Sequence, residues 1–206
     1  VLDGGTFSTG ASTGYTENVG TLNITGGTST IALGSGLHSL IFSGVSGSTW
    51  SGTGVTITGW AGAIGDGSSG TQGKVFIGSS QILTCTQLSK IKFSISSTTY
   101  DAAQLPSGEL VPANVITPTI SSISPSTTTA GGADFTLTVN GANFINGLST
   151  ITWNGSVRTT TFDNSGQLRC TITMADIASA GTFPVGVTTV CTSSTTTDFT
   201  VVAPAN

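Results

Sequence analysis

The chain has 206 residues, of which 36% are hydrophobic, only 7% are charged and about a third are Ser or Thr; an ordinary soluble domain carries about 25% charged residues. The apolar residues fall in periodic runs, which excludes a disordered tail, while the five basic residues (Lys74, Lys90, Lys92, Arg158, Arg169) form no cluster, which excludes nucleic acid as a partner. No apolar run reaches the length of a membrane-spanning helix.

Net charge is −4, so the surface is clothed in hydroxyls and backbone rather than charge. Such a coat suits a surface covered by neighbours, as in a fibre, an array or a stalk. A first residue Val1 without a leader reads as a processed or trimmed chain, with both ends tied into sheets or neighbours.

In chain order, residues 1–19 alternate weakly, with apolar positions at Leu2, Phe7, Tyr15 and Val19. They precede the first clear strand and are the candidate assembly strand, to be donated to the sheet edge of a neighbour. Period-two alternation then predicts strands near 21–25, 30–33, 38–43, Val55–Thr58, Lys74–Ile77 and 90–95. Thr84 and Gln87 have capping-box spacing and predict one short helix over 85–90. The stretch 110–118, bracketed by Pro112 and Pro118, reads as an extended linker, giving domains 1–113 and 114–206. A second series of strands follows, with Asn154-Gly155 as a type I′ hairpin turn.

Little in the chain marks catalysis. His38 is the only histidine and shares its phase with Leu40 and Phe42, so it reads as a structural strand residue. The nine acids are scattered with no pair singled out, and there is no phosphate-cradling glycine-lysine loop. The Asp66-Gly-Ser-Ser-Gly loop offers oxygens to Ca²⁺ but lacks further ligands at defined spacing, and reads as a loop. These patterns predict a protein that is not an enzyme and holds no cofactor or metal. Trp60 and Trp153 read as packing residues. Trp50, set among Ser and Gly, is the candidate exposed aromatic on which a sugar could stack. Cys85 falls at the first helical position, as a free or intermolecular thiol.

The phrases Pro118-Thr-Ile120-Ser-Ser-Ile123-Ser-Pro125, Gly131-Gly132, Phe135-Thr-Leu137-Thr-Val139-Asn-Gly141-Ala-Asn143-Phe144, Ile151-Thr-Trp153-Asn-Gly155 and Ala180-Gly181-Thr-Phe183-Pro-Val185-Gly-Val187 together resemble the IPT/TIG immunoglobulin-like family. The resemblance implies a β-sandwich that serves as a binding or spacer module. In such a sandwich Cys170 and Cys191 both take the inward phase on antiparallel strands, which makes them a disulfide candidate; the alternative is two buried thiols. The first half, through phrases such as Ser29-Thr-Ile31-Ala-Leu33, Val55-Thr-Ile57-Thr-Gly59-Trp60 and Lys74-Val75-Phe76-Ile77-Gly78, looks like a β-rich module of bacterial secreted, autotransported surface proteins.

The expected fold is therefore all-β, with two domains. The C-terminal one is an immunoglobulin-like sandwich, and the N-terminal one a β-sandwich or a short β-helix-like module with one short helix. The expected function is that of a structural subunit of an extracellular filament or bacterial cell-surface layer, a homo-oligomer or homopolymer joined through β-edges. The alternative is an adhesin or glycan-binding module, with surface glycans as partners.

Overall fold

A computed structural model describes residues 1–10, 14–47, 49–65, 67–114 and 116–205. The chain divides into two compact units, Val1–Asn114 and Val115–Asn206, and is almost wholly β.

The first unit contains β1 (Gly5–Ser8), β2 (Thr16–Val19), β3 (Ser29–Ala32), β4 (Ser39–Phe42), β5 (Val55–Thr58), β6 (Lys74–Ile77), the helix α1 (Cys85–Leu88), β7 (Ile91–Ile95), β8 (Thr98–Gln104) and β9 (Glu109–Ala113). The strands form a single curled sheet in the order β1-β3-β5-β7-β8-β9-β6-β4-β2. Odd-numbered strands β1 to β7 stack in parallel, and so do β2, β4 and β6. Isolated parallel bridges, Leu2 with Ile24 and Leu22 with Val45, add a third line of stacking, so the expected strand at 21–25 is a corner rather than a strand. Of the two architectures open for this half, the short β-helix is the one formed.

Each coil lies on the next in register, so interior side chains form columns. One column runs Phe7, Ile31, Ile57, Phe93 and another Val19, Phe42, Ile77. Period-two strands with branched apolar residues on one face are suited to this, because every interior position meets a like residue one coil away.

The far end is closed by a hairpin. Ser96 and Ser97, both at positive φ (48° and 66°), turn β7 into the antiparallel β8. β9 then pairs with β8 on one side and β6 on the other, joining the two stacks. All five residues of β9 are buried, so the stretch read as the start of a linker is an interior strand that includes Pro112. Buried Gln104 secures this closure. Its carbonyl oxygen accepts from the N–H groups of Ile82 (2.8 Å) and Leu83 (2.9 Å), and its amide donates to the carbonyl of Ile77 (2.7 Å). The capping box of α1 forms as its spacing predicts: Gln87 N–H donates to Thr84 Oγ1, and Thr84 N–H donates to the Gln87 side chain.

The second unit contains β10 (Thr119–Ser124), β11 (Thr127–Thr129), β12 (Phe135–Ala142), β13 (Ser149–Trp153), β14 (Ser156–Val157), β15 (Thr160–Asn164), β16 (Gln167–Ile172), β17 (Gly181–Thr189), β18 (Thr192–Ser193) and β19 (Thr197–Val202). One sheet has the order β10-β12-β16-β15 and the other β11-β19-β17-β13-β14, with β18 folded back on β17. Their inner faces meet in a core of Leu137, Val139, Ile151, Trp153, Leu168, Ile172, Val185, Val187 and Phe199. Trp153 stacks on Phe183 at 5.4 Å and lies 5.0 Å from Phe199. Asn154 and Gly155, at φ 49° and 79°, make the tight turn their sequence predicts. This is an immunoglobulin-like sandwich.

Candidate functional site

The residues singled out in the sequence fall at three places. The first is the open end of the solenoid. Leu2, Phe7, Tyr15 and Val19 do not form a free donor strand. They belong to the first coil, folded against their own chain: β1 pairs with β3 and β2 with β4, while Tyr15 sets its ring edge-on to His38 at 4.8 Å. Phe7 is 39% exposed, whereas Ile31, Ile57 and Phe93 below it in the column are at most 1% exposed. Val1, Leu2, Phe7, Val19, Ile31, Leu40 and Phe42 line an apolar cavity of about 180 Å³ at this end. The curled sheet has two free edges, β1 and β2, and both belong to this coil. Glu17, in register with buried Leu40, takes the inward phase of β2 yet is exposed at the rim.

The second place is the solenoid interior. Trp50 is 3% exposed, so it is not the surface aromatic that its Ser- and Gly-rich neighbourhood suggests. The reason lies in the corner stacking. Gly52 and Thr53 donate backbone hydrogen bonds to the carbonyls of Ile24 and Gly26 in the coil before, and a Cβ on Gly52 would come within 2.7 Å of Ile24. The indole beside this close approach is buried, and its Nε1 finds no partner among the described residues. His38 is 1% exposed, with Nε2 accepting from the Gly36 N–H at 3.2 Å, which matches its reading as a structural residue. Buried Glu109 accepts from Gly70 N–H (2.8 Å) and Ser69 Oγ (2.6 Å), and Lys74 Nζ donates to the same hydroxyl (2.7 Å). Ser69 and Lys74 sit together here, but the carboxylate is sealed from solvent and the hydroxyl is held at both ends, so the group pins the loop that precedes β6. Asp66 lies outside the described residues.

The third place is the cysteines and the polar groove of the sandwich. Cys170 is a free, buried thiol, while Cys85 and Cys191 are both disulfide-bonded. The expected Cys170–Cys191 bridge is therefore not formed, and Cys85 is not an open thiol. Extrapolating the β17 alternation to Cys191 fails because Val190, at φ 51°, ends the strand and begins a turn, leaving Cys191 exposed. Cys170 sits in β16 opposite Leu137, and burial pushes its thiol up to about 11.

Beside it, Thr136, Arg158, Thr161, Arg169, Thr171 and Thr173 line an open groove of about 480 Å³. Both arginines are already paired. Arg169 grips Asp163 through two hydrogen bonds (2.5 and 2.6 Å), which hold that carboxyl below its ordinary range. Arg158 meets Asp176 at 2.6 Å. Partial burial pushes the Asp176 carboxyl up, but the Thr173 N–H and hydroxyl together with the Arg158 guanidinium outweigh it and hold it below the usual carboxylate range.

Lys90 donates to the Gly52 carbonyl and Lys92 pairs with Asp101, so all five basic side chains are engaged within the chain. Among the described residues no three His, Cys, Asp or Glu side chains gather as a metal site, and no helix is long and apolar enough to cross a membrane.

A family model described as the IPT/TIG domain matches residues 118–201. Domains of this kind are immunoglobulin-like and non-enzymatic, and they often occur in surface or adhesion-type proteins. The match agrees with the sandwich built by β10 to β19. No curated protein matches the chain.

Proposed function

We propose that the chain is a non-enzymatic structural subunit of an extracellular, cell-surface assembly, a layer or filament of bacterial secreted type, joined through strand edges. One observation carries this reading: among the described residues the solenoid sheet keeps two unpaired edge strands, β1 and β2, and side chains from both line one apolar cavity. Unpaired strand edges are templates for a neighbouring chain. The IPT/TIG match, the disulfide-bonded Cys85 and Cys191 and the neutral hydroxyl-rich composition support an extracellular setting. The glycan-binding alternative rested on Trp50, and burial removes that platform.

Electron microscopy of the protein at neutral pH tests the proposal. Regular layers or fibres are expected, and uniformly dispersed single particles at every concentration would remove the assembly reading.

A further inference from the structure

We infer that the polar groove of the sandwich is a binding site for a neutral saccharide chain, laid across the outer face of β12, β16 and β15. The site is separate from the Trp50 platform and does not rest on the assembly reading.

The first argument is the face itself. Buried Leu137, Leu168, Cys170 and Ile172 fix the inward phase of β12 and β16, so Thr136, Thr138, Arg169 and Thr171 point outward. The register sets Thr136 opposite Thr171, with Thr138 and Thr161 on either side of Arg169. Directly opposed side chains on one face stand about 5 Å apart. They are held by strands rather than loops, so the array is formed before any ligand arrives. Val157 and Arg158, from the crossing between β14 and β15, line the same groove, whose volume of about 480 Å³ is that of a ligand site.

The second argument is unused hydrogen-bonding capacity. Elsewhere on this face Asn140 donates to Ser122 (3.2 Å) and Gln167 donates to Asn140 (2.8 Å), so those side chains satisfy one another. Among the described residues the hydroxyls of Thr136, Thr161 and Thr171 have no such partner. Asp163 takes two of the five N–H groups of Arg169, through Nε and Nη2, and the rest stay open among the described residues on a side chain that is 46% exposed. Because Asp163 grips the guanidinium from one side, those donors are held in a fixed direction.

The third argument is charge. Asp163 and Asp176 already neutralise the two guanidiniums, so an anion gains little here. Val157 is the one exposed apolar side chain of the lining, so the groove has no pocket of the kind that selects peptide side chains. What fits is an uncharged ligand rich in oxygens that both accept and donate, as saccharide hydroxyls do. A threonine hydroxyl also does both, and the open Arg169 N–H groups need acceptors.

Titration of the isotope-labelled chain with soluble mannan, galactan, xylan and dextran, followed by amide chemical shifts, tests the site, with dextran sulfate as the charged counterpart. At least one neutral polysaccharide should shift the amides of Thr136, Thr161, Arg169 and Thr171, with an apparent Kd of about 1 mM or tighter. Raising salt from about 50 mM to about 500 mM should change that Kd by less than about twofold, because no net charge is matched. Thr136→Val with Thr171→Val removes two hydroxyls, keeps the branched shape, and should weaken binding at least about tenfold. Arg169→Lys keeps the charge, loses the planar fork, and should weaken binding by about threefold or more. Thr200→Val, at an exposed position of the opposite sheet, is the control and should change nothing; melting confirms that each variant is folded.

A native chain that shifts with none of the neutral polysaccharides overturns the inference. So does binding of dextran sulfate alone, which would make the groove an anion site. Shifts confined to other faces, or binding that the folded double variant and Arg169→Lys both retain in full, remove it equally.

Discussion

At the scale of single residues, the cysteines show how far phase alone carries. Alternation with Leu168 and Ile172 points Cys170 inward, and it is inward, but as a free thiol among apolar neighbours. Thiol titration of the unreduced native protein should find essentially none reactive, and in denaturant one per chain; three in denaturant would contradict the bonded state of Cys85 and Cys191. The Asp176 carboxyl makes a second prediction. Its folded pKa is depressed below the ordinary 3.8, so its stabilisation is present above that value and is lost as pH falls through the folded pKa. The denaturation midpoint of the sandwich should therefore drop on acidification below about 4. Asp176→Asn, which also weakens the cap on the turn Met174–Ile177, should cost about 1 kcal/mol at neutral pH and flatten the drop. A midpoint in Asp176→Asn as acid-sensitive as the native one would assign the drop to other carboxyls.

At the scale of elements, much was legible. Val55–Thr58 and Lys74–Ile77 are strands with the limits their alternation predicts, and α1 begins where Thr84 caps it. What escaped was β8 and β9. Their seam is not a clean alternation: Thr98-Thr-Tyr-Asp-Ala-Ala-Gln changes from polar to small midway, and Pro112 signals a break. The strands exist because β9 fills the gap between two stacks, a long-range demand no local pattern displays. Gln104 carries no local signal for the same reason, since a lone Gln near a Pro says nothing until its partners are known. Gln104→Leu should remove the acceptor shared by the partly buried Ile82 and Leu83 N–H groups and the donor to the buried Ile77 carbonyl, and destabilise the solenoid by roughly 1–3 kcal/mol, measured by chemical denaturation. Gln104→Glu, which keeps the acceptor but sets a buried carboxylate against the Ile77 carbonyl, should cost at least as much at neutral pH. A loss under about 0.5 kcal/mol for Gln104→Leu would mean that water replaces the side chain.

At the scale of the whole molecule, composition and patterning conveyed the all-β class and the immunoglobulin-like half, because turn residues and inward phases repeat there at sandwich spacing. They left the first half open between two architectures, since a period of two is shared by every half-buried strand; parallel pairing between coils some 23 to 36 residues apart decides it. Trp50 departs from its expected place for a related reason. Its Gly- and Ser-rich context suggests a loop at the surface, but in a solenoid a corner is also a stacked layer. The open-end cavity was not readable at all, because it is made by where the columns stop rather than by any residue in them.

Because both sheet edges belong to one coil, the solenoid has a direction in which to come apart. In a stack where each layer touches only its neighbours, the layer bonded on one side opens first and the next can follow only after it. Amide hydrogen exchange should accordingly be fastest in β1 and β2, slower in β3 and β4, and slowest from β5 to β9, where the hairpin bolts the layers together. Uniform protection across β1 to β9 would show a single cooperative unit instead.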